Sequence, residues 1–590
     1  MGYMLLFSVV IGLVLTLLLT PLRLIVRKKG TEQQVPLMWI AGLALLFIIG
    51  IFGFYYITNL DRNPSSLWLI GLVVTAAGAF LSVGLERKIK GVLFLILLLL
   101  GVYMATAFLF NANEKFDVSK MEQKVEIKAF DETETPASVP PQFARNKMKK
   151  SFGQVPNTSY YELGSLQIQK VNGEYVYIAP VEFSDFFKWI RSGSTPGYFT
   201  LSATDSSANP KFVKTEMVYT PSSYFNKEIE RHIRLQYPDL IFYGDTQLEI
   251  NDDGKPYYIQ TFGDFISARN GFKASGVVVV DAKTGETKKY SLDKVPAFID
   301  GAVSPEAVSL QNSYFGNYVH GFWNSMFGKS DVKLPSDEGT EANVSPVFDS
   351  KGDMYYFTDF TSPKEGVDSM LGYALTNART GKATYYTGNL EESYMDSQGA
   401  LQIIEKRFIE KKWKGRMPIL YNFYGEASWL TPVLDSNGFL QNYFIVSAMP
   451  ILYNFYGEAS WLTPVLDSNG FLQNYFIVSA ANPEIAAYAS TPNEALRAYK
   501  TALQKGGGTV NSSSKQEKKE STGKVKRVYK EKTGDYTTVT FLLDDGKNYT
   551  MSSEKEPLII YLKEGDQVNM KYTDTGEIFL PVDEINIKGL

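Results

Sequence analysis

Four long apolar runs crowd into the first 111 residues, and they constrain the chain more than anything that follows. They lie at about Tyr3–Thr20, Val35–Ile57, Leu67–Leu85 and Val92–Phe110, and none carries a charged side chain in its body. Crossing the hydrocarbon of a bilayer takes roughly 20 apolar residues, and backbone groups there must be paired within the segment, so each run is expected to be a transmembrane helix. The connections give a direction. Arg23, Arg27, Lys28 and Lys29 follow the first run, and Arg87, Lys88 and Lys90 precede the fourth, whereas the middle connection has Asp61 and Arg62. Basic segments stay cytoplasmic, which puts both ends of the chain outside the cytoplasm.

A cleaved signal peptide is not expected, because Met1–Leu5 holds no cation and the basic cluster comes after the apolar run. Leu6 stands where N-myristoylation at Gly2 would call for Ser or Thr. Transport pathways usually need ionisable groups at membrane depth; with none in these runs, the bundle reads as an anchor.

The rest of the 590 residues has a soluble character, rich in Tyr and Phe, with a whole-chain net charge of −4 that gives no reason to expect nucleic acid. There is no cysteine, so thiol nucleophiles, thiolate metal sites and disulfides are excluded, and two histidines cannot make a three-histidine site. Residues 112–159 are expected to form a stalk with local structure, including a Pro-containing stretch from Thr135 to Pro141.

Beyond it, paired turns recur. Asn251-Asp252-Asp253-Gly254 before Tyr257-Tyr258 is echoed by Asp349-Ser350-Lys351-Gly352 before Tyr355-Tyr356. Asp281-Ala282-Lys283-Thr284-Gly285 is echoed by Asn377-Ala378-Arg379-Thr380-Gly381, and Asp435-Ser436-Asn437-Gly438 adds a third turn of the first kind. Each is a polar turn between β-prone arms, with Gly where a left-handed residue is needed. Helices are expected from Pro221-Ser222-Ser223 with Phe225, Ile229, Ile233 and Gln236 on one face, over Leu310–Phe327, and after the capping box Thr491–Glu494. Met417–Ala448 is repeated at all 32 positions in Met449–Ala480, so two copies of one hairpin compete for one place; one is expected to pack and the other to be an added hairpin. Residues 505–523 read as a flexible linker, and 524–590, with turns at Asp544-Asp545-Gly546 and Lys563–Asp566, as a small five-stranded barrel of the OB kind.

The Asp281–Gly285 hairpin, preceded by a helix and by the Asn251–Tyr258 hairpin, resembles PepSY-type modules, extracytoplasmic α+β units of propeptides and bacterial envelope proteins. The whole chain is similar to an uncharacterised family of multi-pass bacterial membrane proteins, loosely labelled cell-shape-determining. Gly276–Asp281, Tyr318–Asn324 and Met417–Asn422 carry that likeness, and it implies no catalytic residues.

The fold class expected is therefore a four-helix membrane anchor (1–111), a stalk (112–159), α+β modules with antiparallel sheets (160–300 and 301–504), a linker and the barrel. No catalytic, cofactor-binding or metal residue is expected. His232, between Arg231 and Ile233, and His320, amid Tyr314, Phe315, Tyr318, Phe322, Trp323 and Phe327, read as packed histidines. The Asp/Asn turns lack the ligand series of a calcium loop. Lys515, Lys518, Lys519, Lys524, Lys526, Arg527, Lys530 and Lys532 read as a solvated linker. The function expected is a non-enzymatic envelope protein that scaffolds or binds protein partners, with the lipid bilayer as its other partner; the alternative is a PepSY-like regulator of an envelope protease or wall-processing enzyme.

Overall fold

The structure, a computed structural model, describes residues 2–22, 37–125, 139–337, 340, 343–349, 351–364, 369–388, 394–423, 426–448, 453–455, 458–466, 472–479, 486–489, 499–500, 518–533, 536–553, 555–573 and 579–589. The Arg23–Lys29 cluster, the Thr491–Glu494 box and most of the expected linker lie outside these residues.

The apolar runs are helices α1 (Gly2–Leu19), α2 (Leu37–Thr58), α3 (Trp68–Leu81) and α4 (Gly84–Phe110). Three of them, α1, α2 and α4, are long and apolar enough to cross a membrane; α3 is shorter, lengthened at its start by a 3-10 turn over Pro64–Leu67. Small residues bring the helices together, as hydrophobic burial alone cannot in lipid. A Cβ on Gly78 would fall 1.8 Å from the Leu18 carbonyl oxygen, and one on Gly12 would fall 2.6 Å from the Ile48 side chain. Helix α4 starts eight residues ahead of the apolar run, so Glu86, Arg87, Lys88 and Lys90 are helical rather than loop residues. Lys90 is buried and donates to the Thr20 carbonyl at 3.0 Å and to Ser82 Oγ at 3.1 Å. It also pairs with Glu86 at 2.7 Å, which in turn accepts from the Leu22 amide.

The β-rich region that follows begins with two five-stranded antiparallel sheets. The first runs from Tyr161 to Met217, and its strands Glu174–Phe183 and Thr195–Ser202 are joined by the short helix α7 (Phe186–Ser192). Ahead of this sheet come helices α5 (Ala112–Val118) and α6 (Pro141–Lys150). The second sheet, Ile241 to Ser291, has Pro256–Ile266 and Gly271–Asp281 at its centre. Val277 to Val280 are all buried because both faces are covered. Val278 and Val280 meet Ile229 and Ile233 of helix α8 (Ile229–Gln236), while Val277 and Val279 meet Ile299 and Ala302. A third sheet, mainly antiparallel, centres on Met354–Thr361 and Ser369–Asn377 and follows helix α9 (Pro305–Asn317). Helix α10 (Ser397–Arg407) leads to the hairpin of Glu426–Leu434 and Leu440–Ser447.

Three expectations are corrected. Helix α6 is no part of a stalk: Phe143, Ala144 and Met148 are buried in a core shared with Tyr177 and Phe199 of the first sheet, Phe272 of the second and Phe348 and Met354 of the third. Helix α8 starts at Ile229, so Ser222 and Ser223 precede it and Phe225 is exposed. Helix α9 stops at Asn317, and after a break the chain is helical again over Gly321–Trp323 and Asn324–Gly328, so the expected helix is interrupted and Phe322, Trp323 and Phe327 lie past the break.

The echoed turns are built alike. Asn251 Oδ1 accepts from the amides of Asp253 and Lys255, Asp349 Oδ1 from Lys351 and Asp353, and Asp435 Oδ1 from Asn437 and Phe439. Asp281 accepts from the amides of Lys283 and Thr284, as Asn377 does from Arg379 and Thr380. The strands also keep one register, with Val280 opposite Tyr258 and Thr376 opposite Tyr356. Both copies of the 32-residue repeat form strands. The first buries Trp429, Val433 and Ile445, and Tyr443 and Phe444 pair with Leu466 and Val465 of the second.

The C-terminal unit is a closed five-stranded barrel of Lys518–Thr533, Tyr536–Leu543, Asn548–Ser552, Gln567–Thr573 and Phe579–Ile587. Its first strand pairs with the second and the fourth, and the parallel pair of third and fifth closes the ring. Val539, Phe541, Leu543 and Ile559 are among the side chains that fill it. The strand begins at Lys518, so the expected linker is shorter at that end, and Lys524, Lys526, Arg527 and Lys530 are exposed along a barrel strand rather than in a linker.

Candidate functional site at the docked end of the helices

The β-rich region is bolted to one end of the helices, where α2 and α4 finish and α3 begins. The loop Ser267–Asn270, between the two central strands of the second sheet, makes the densest contact. Ser267, Ala268 and Arg269 all have left-handed backbone, φ 48°, 52° and 75°, a conformation costly for residues with a Cβ. What holds it is side-chain bonding to three helix ends. The Arg269 guanidinium reaches Asp61 Oδ2 at 3.0 Å and Ser65 Oγ at 2.7 Å, with Phe265 4.0 Å beneath. Glu114 in α5 accepts from the Ser267 amide at 2.7 Å, the Asn111 carbonyl accepts from Ser267 Oγ at 2.8 Å, and Asn270 Nδ2 donates to the Met104 carbonyl at 2.6 Å.

Helix α8 supplies a second clamp. Arg231 Nε donates to the Tyr56 carbonyl and Arg234 Nε to that of Asn59, each at 2.8 Å, and the Arg62 amide donates to Pro238. Enclosure pushes the Arg234 guanidinium down to about 10, yet two further carbonyl contacts, to Pro238 and Leu240, and nearby Asp61 keep it a cation at neutral pH. Beside the Arg269 loop an open recess of about 340 Å³ is lined by Leu60, Ser65, Ser66, Trp68, Met104 and Arg269.

Away from this seam lie three buried carboxylate groups. Glu182 accepts from Tyr258 OH at 2.8 Å and from the amide and hydroxyl of Ser222. Glu249 accepts from the amides of Asp300 and Gly301, both 2.8 Å, while Asp300 takes the Lys170 amide at 2.7 Å and Arg379 at 3.1 Å. Burial raises the proton affinity of both, and their mutual repulsion raises that of Glu249 further. Asp359 accepts from the Ser397 amide at 3.1 Å, and burial lifts it to about 6. Each group bonds to the backbone or side chains of neighbouring strands and turns, so these carboxylates tie elements together.

His232 is half-buried, 2.8 Å from the Gly285 carbonyl and against the Tyr219 ring; burial pushes its imidazole down. His320 is exposed and bonded to Asp331 at 2.8 Å, so it is not the packed residue expected. Among the described residues no group of three or more His, Asp or Glu side chains is placed to hold a metal ion. Sequence reasoning missed the seam. Asp61 and Arg62 drew notice only as loop charges, and Arg269, Ser267, Glu114 and Arg234 carried no local signal, since their partners are far along the chain.

No family model matches the chain, and no curated protein does. Among solved structures it is similar to a glycosyl hydrolase from Bacteroides ovatus, at 12% identity over 66% of this chain and 84% of that one, with a TM-score of 0.15. A second glycoside hydrolase matches at 8% identity over 69% and 94%, with a TM-score of 0.17. At such TM-scores the likeness says nothing about fold or activity.

Proposed function

We propose that the protein is a non-enzymatic, multi-pass membrane anchor that holds PepSY-like α+β modules against the extracytoplasmic face of a bacterial membrane, where they scaffold envelope proteins. The observation that carries this reading is the seam: ionic and hydrogen-bonded contacts fix the modules to the helix ends instead of leaving them on a tether. In this reading α3 spans the bilayer as a fourth helix, completed by its 3-10 turn, and Arg87, Lys88 and the cations after α1 face the cytoplasm, with Lys90 packed between the helices at that end. The paired turns and their matched registers support a duplicated module. We read the closed five-stranded barrel as OB-like, a platform for elongated ligands.

The edge strand Lys211–Met217, paired on one side only among the described residues, favours a second reading, in which the first sheet takes up an extended peptide of an envelope protease or wall-processing enzyme. The test is photocrosslinking in intact cells. A crosslinker at exposed positions of the modules should trap one envelope protein reproducibly, and the trapped species should vanish when Arg269→Ala and Arg234→Ala loosen the seam. Trapping at Lys211 alone, insensitive to those substitutions, would favour the peptide reading; no trapping at any position would defeat both.

A further inference from the structure

Two sets of large apolar side chains remain uncovered beside the docked end of the helices. The first is on α7 and the turn before α8: Phe187 is 73% exposed, Ile190 57% and Phe225 55%. These rings stand on a supporting cluster, with Phe186 5.9 Å from Trp189 and Trp189 5.8 Å from Phe225. The second follows α9, where Trp323 is 58% exposed, Met326 55% and Phe327 75%, the two rings stacked 6.0 Å apart. Soluble surfaces seldom gather such side chains without a use for them.

Their placement says what covers them. Asn226, next to Phe225, accepts from Tyr56 OH at 3.0 Å, and Arg231 Nη1 donates to the Phe225 carbonyl while its Nε holds Tyr56. Tyr56 is in the last turn of α2. On the other side Phe322, next to Trp323, packs edge-on against Phe108 in the last turn of α4, centroids 5.0 Å apart. Each set is thus continuous with the end of an apolar helix, at the depth where hydrocarbon gives way to headgroups and where aromatic side chains are favoured. Arg191 follows Ile190 on α7, where Lys188 is paired with Asp185, and Lys329 lies two residues past Phe327, so a cation stands beside each set as anionic headgroups require.

We infer that both sets insert into the interfacial layer of the leaflet that surrounds the docked end, so that the β-rich region rests on lipid at two points as well as on its own helices. This rests on the reading that the helices span a bilayer, and the experiment separates the two. Because the chain has no cysteine, a nitroxide on one introduced cysteine reports a single position. The full chain, in nanodiscs of phosphatidylethanolamine and phosphatidylglycerol, would be labelled at Phe187→Cys, Phe327→Cys, Lys351→Cys as a water reference and Phe80→Cys as a lipid reference. Relaxation by oxygen relative to a nickel chelate should be several-fold higher at 187 and 327 than at 351, and lower than at 80. Serine at Ile190 and Phe225 should bring position 187 back toward the value at 351.

A value at 187 and 327 equal to that at 351 overturns the inference. Low accessibility to both reagents also overturns it, by revealing a second copy or a partner protein there. If position 80 reads as water, the spanning reading fails and the inference falls with it.

Discussion

Asp359 is buried against Ser397 at the start of α10, and its enclosure sets a pH dependence. Its carboxyl holds a proton more tightly in the fold, at about 6, than the 3.8 of a free side chain, so between those values the folded state carries more protons. Stability from this group is fully present below the lower value and is lost as pH rises through the upper one. Asp359→Asn, which keeps an acceptor for the Ser397 amide, should therefore gain on the natural protein in thermal midpoint as pH rises from about 4 to about 6, the window those values define. Midpoints that fall in parallel with pH would contradict it.

At the seam, Arg269→Ala leaves Asp61 buried without its cation and should cost about 1.5–3 kcal/mol, with faster hydrogen exchange at residues 58–66 and 267–270. Ala268→Gly should do the reverse, adding about 1 kcal/mol by relieving the left-handed backbone. The turn residues were legible in the sequence because a side chain such as Asp281 or Asn377 bonds its own backbone two and three residues on. Arg269 was illegible because Asp61 is 208 positions away.

Among the elements, the sequence announced those whose pattern is local. Ile229 and Ile233 mark the buried face of α8, and the valines before Asp281 mark a strand covered on both faces. Where neighbours decide, the reading failed. Helix α6, with four cations in ten residues, looked like exposed polar chain, but Phe143, Ala144 and Met148 make it part of the core. The aromatic run after Leu310 looked uniform, yet Tyr314 and Phe315 are buried whereas Trp323 and Phe327 are exposed. The duplicated hairpin is a further case. Trp429 in the first copy is fully enclosed and its indole donates to the Met395 carbonyl at 2.8 Å. Trp429→Ala should cost about 3–5 kcal/mol, whereas deleting one 32-residue copy should leave the thermal midpoint unchanged, as scanning calorimetry would record. A lowered midpoint after deletion would mean that both copies are needed.

For the molecule as a whole, the apolar runs carried most of what could be read, and the barrel's turns most of the remainder. The sidedness proposed here has a direct check: alkaline phosphatase fused after Leu590 should be active, since that enzyme matures only outside the cytoplasm, and a cytosolic reporter at the same place should be silent. The opposite pattern would invert every partner suggested above.

The hairpin loop gripped by Arg269, Ser267 and Asn270 also has a mechanical meaning. It is fastened at once to the start of α3, to the last turns of α4 and to α5, so those points cannot shift against one another without straining a backbone already in an unfavourable conformation. The strands that lead out of that loop, Pro256–Ile266 and Gly271–Asp281, run straight into the centre of the second sheet. A tilt of the helices therefore has a stiff two-stranded lever through which to reach the turn at Asp281.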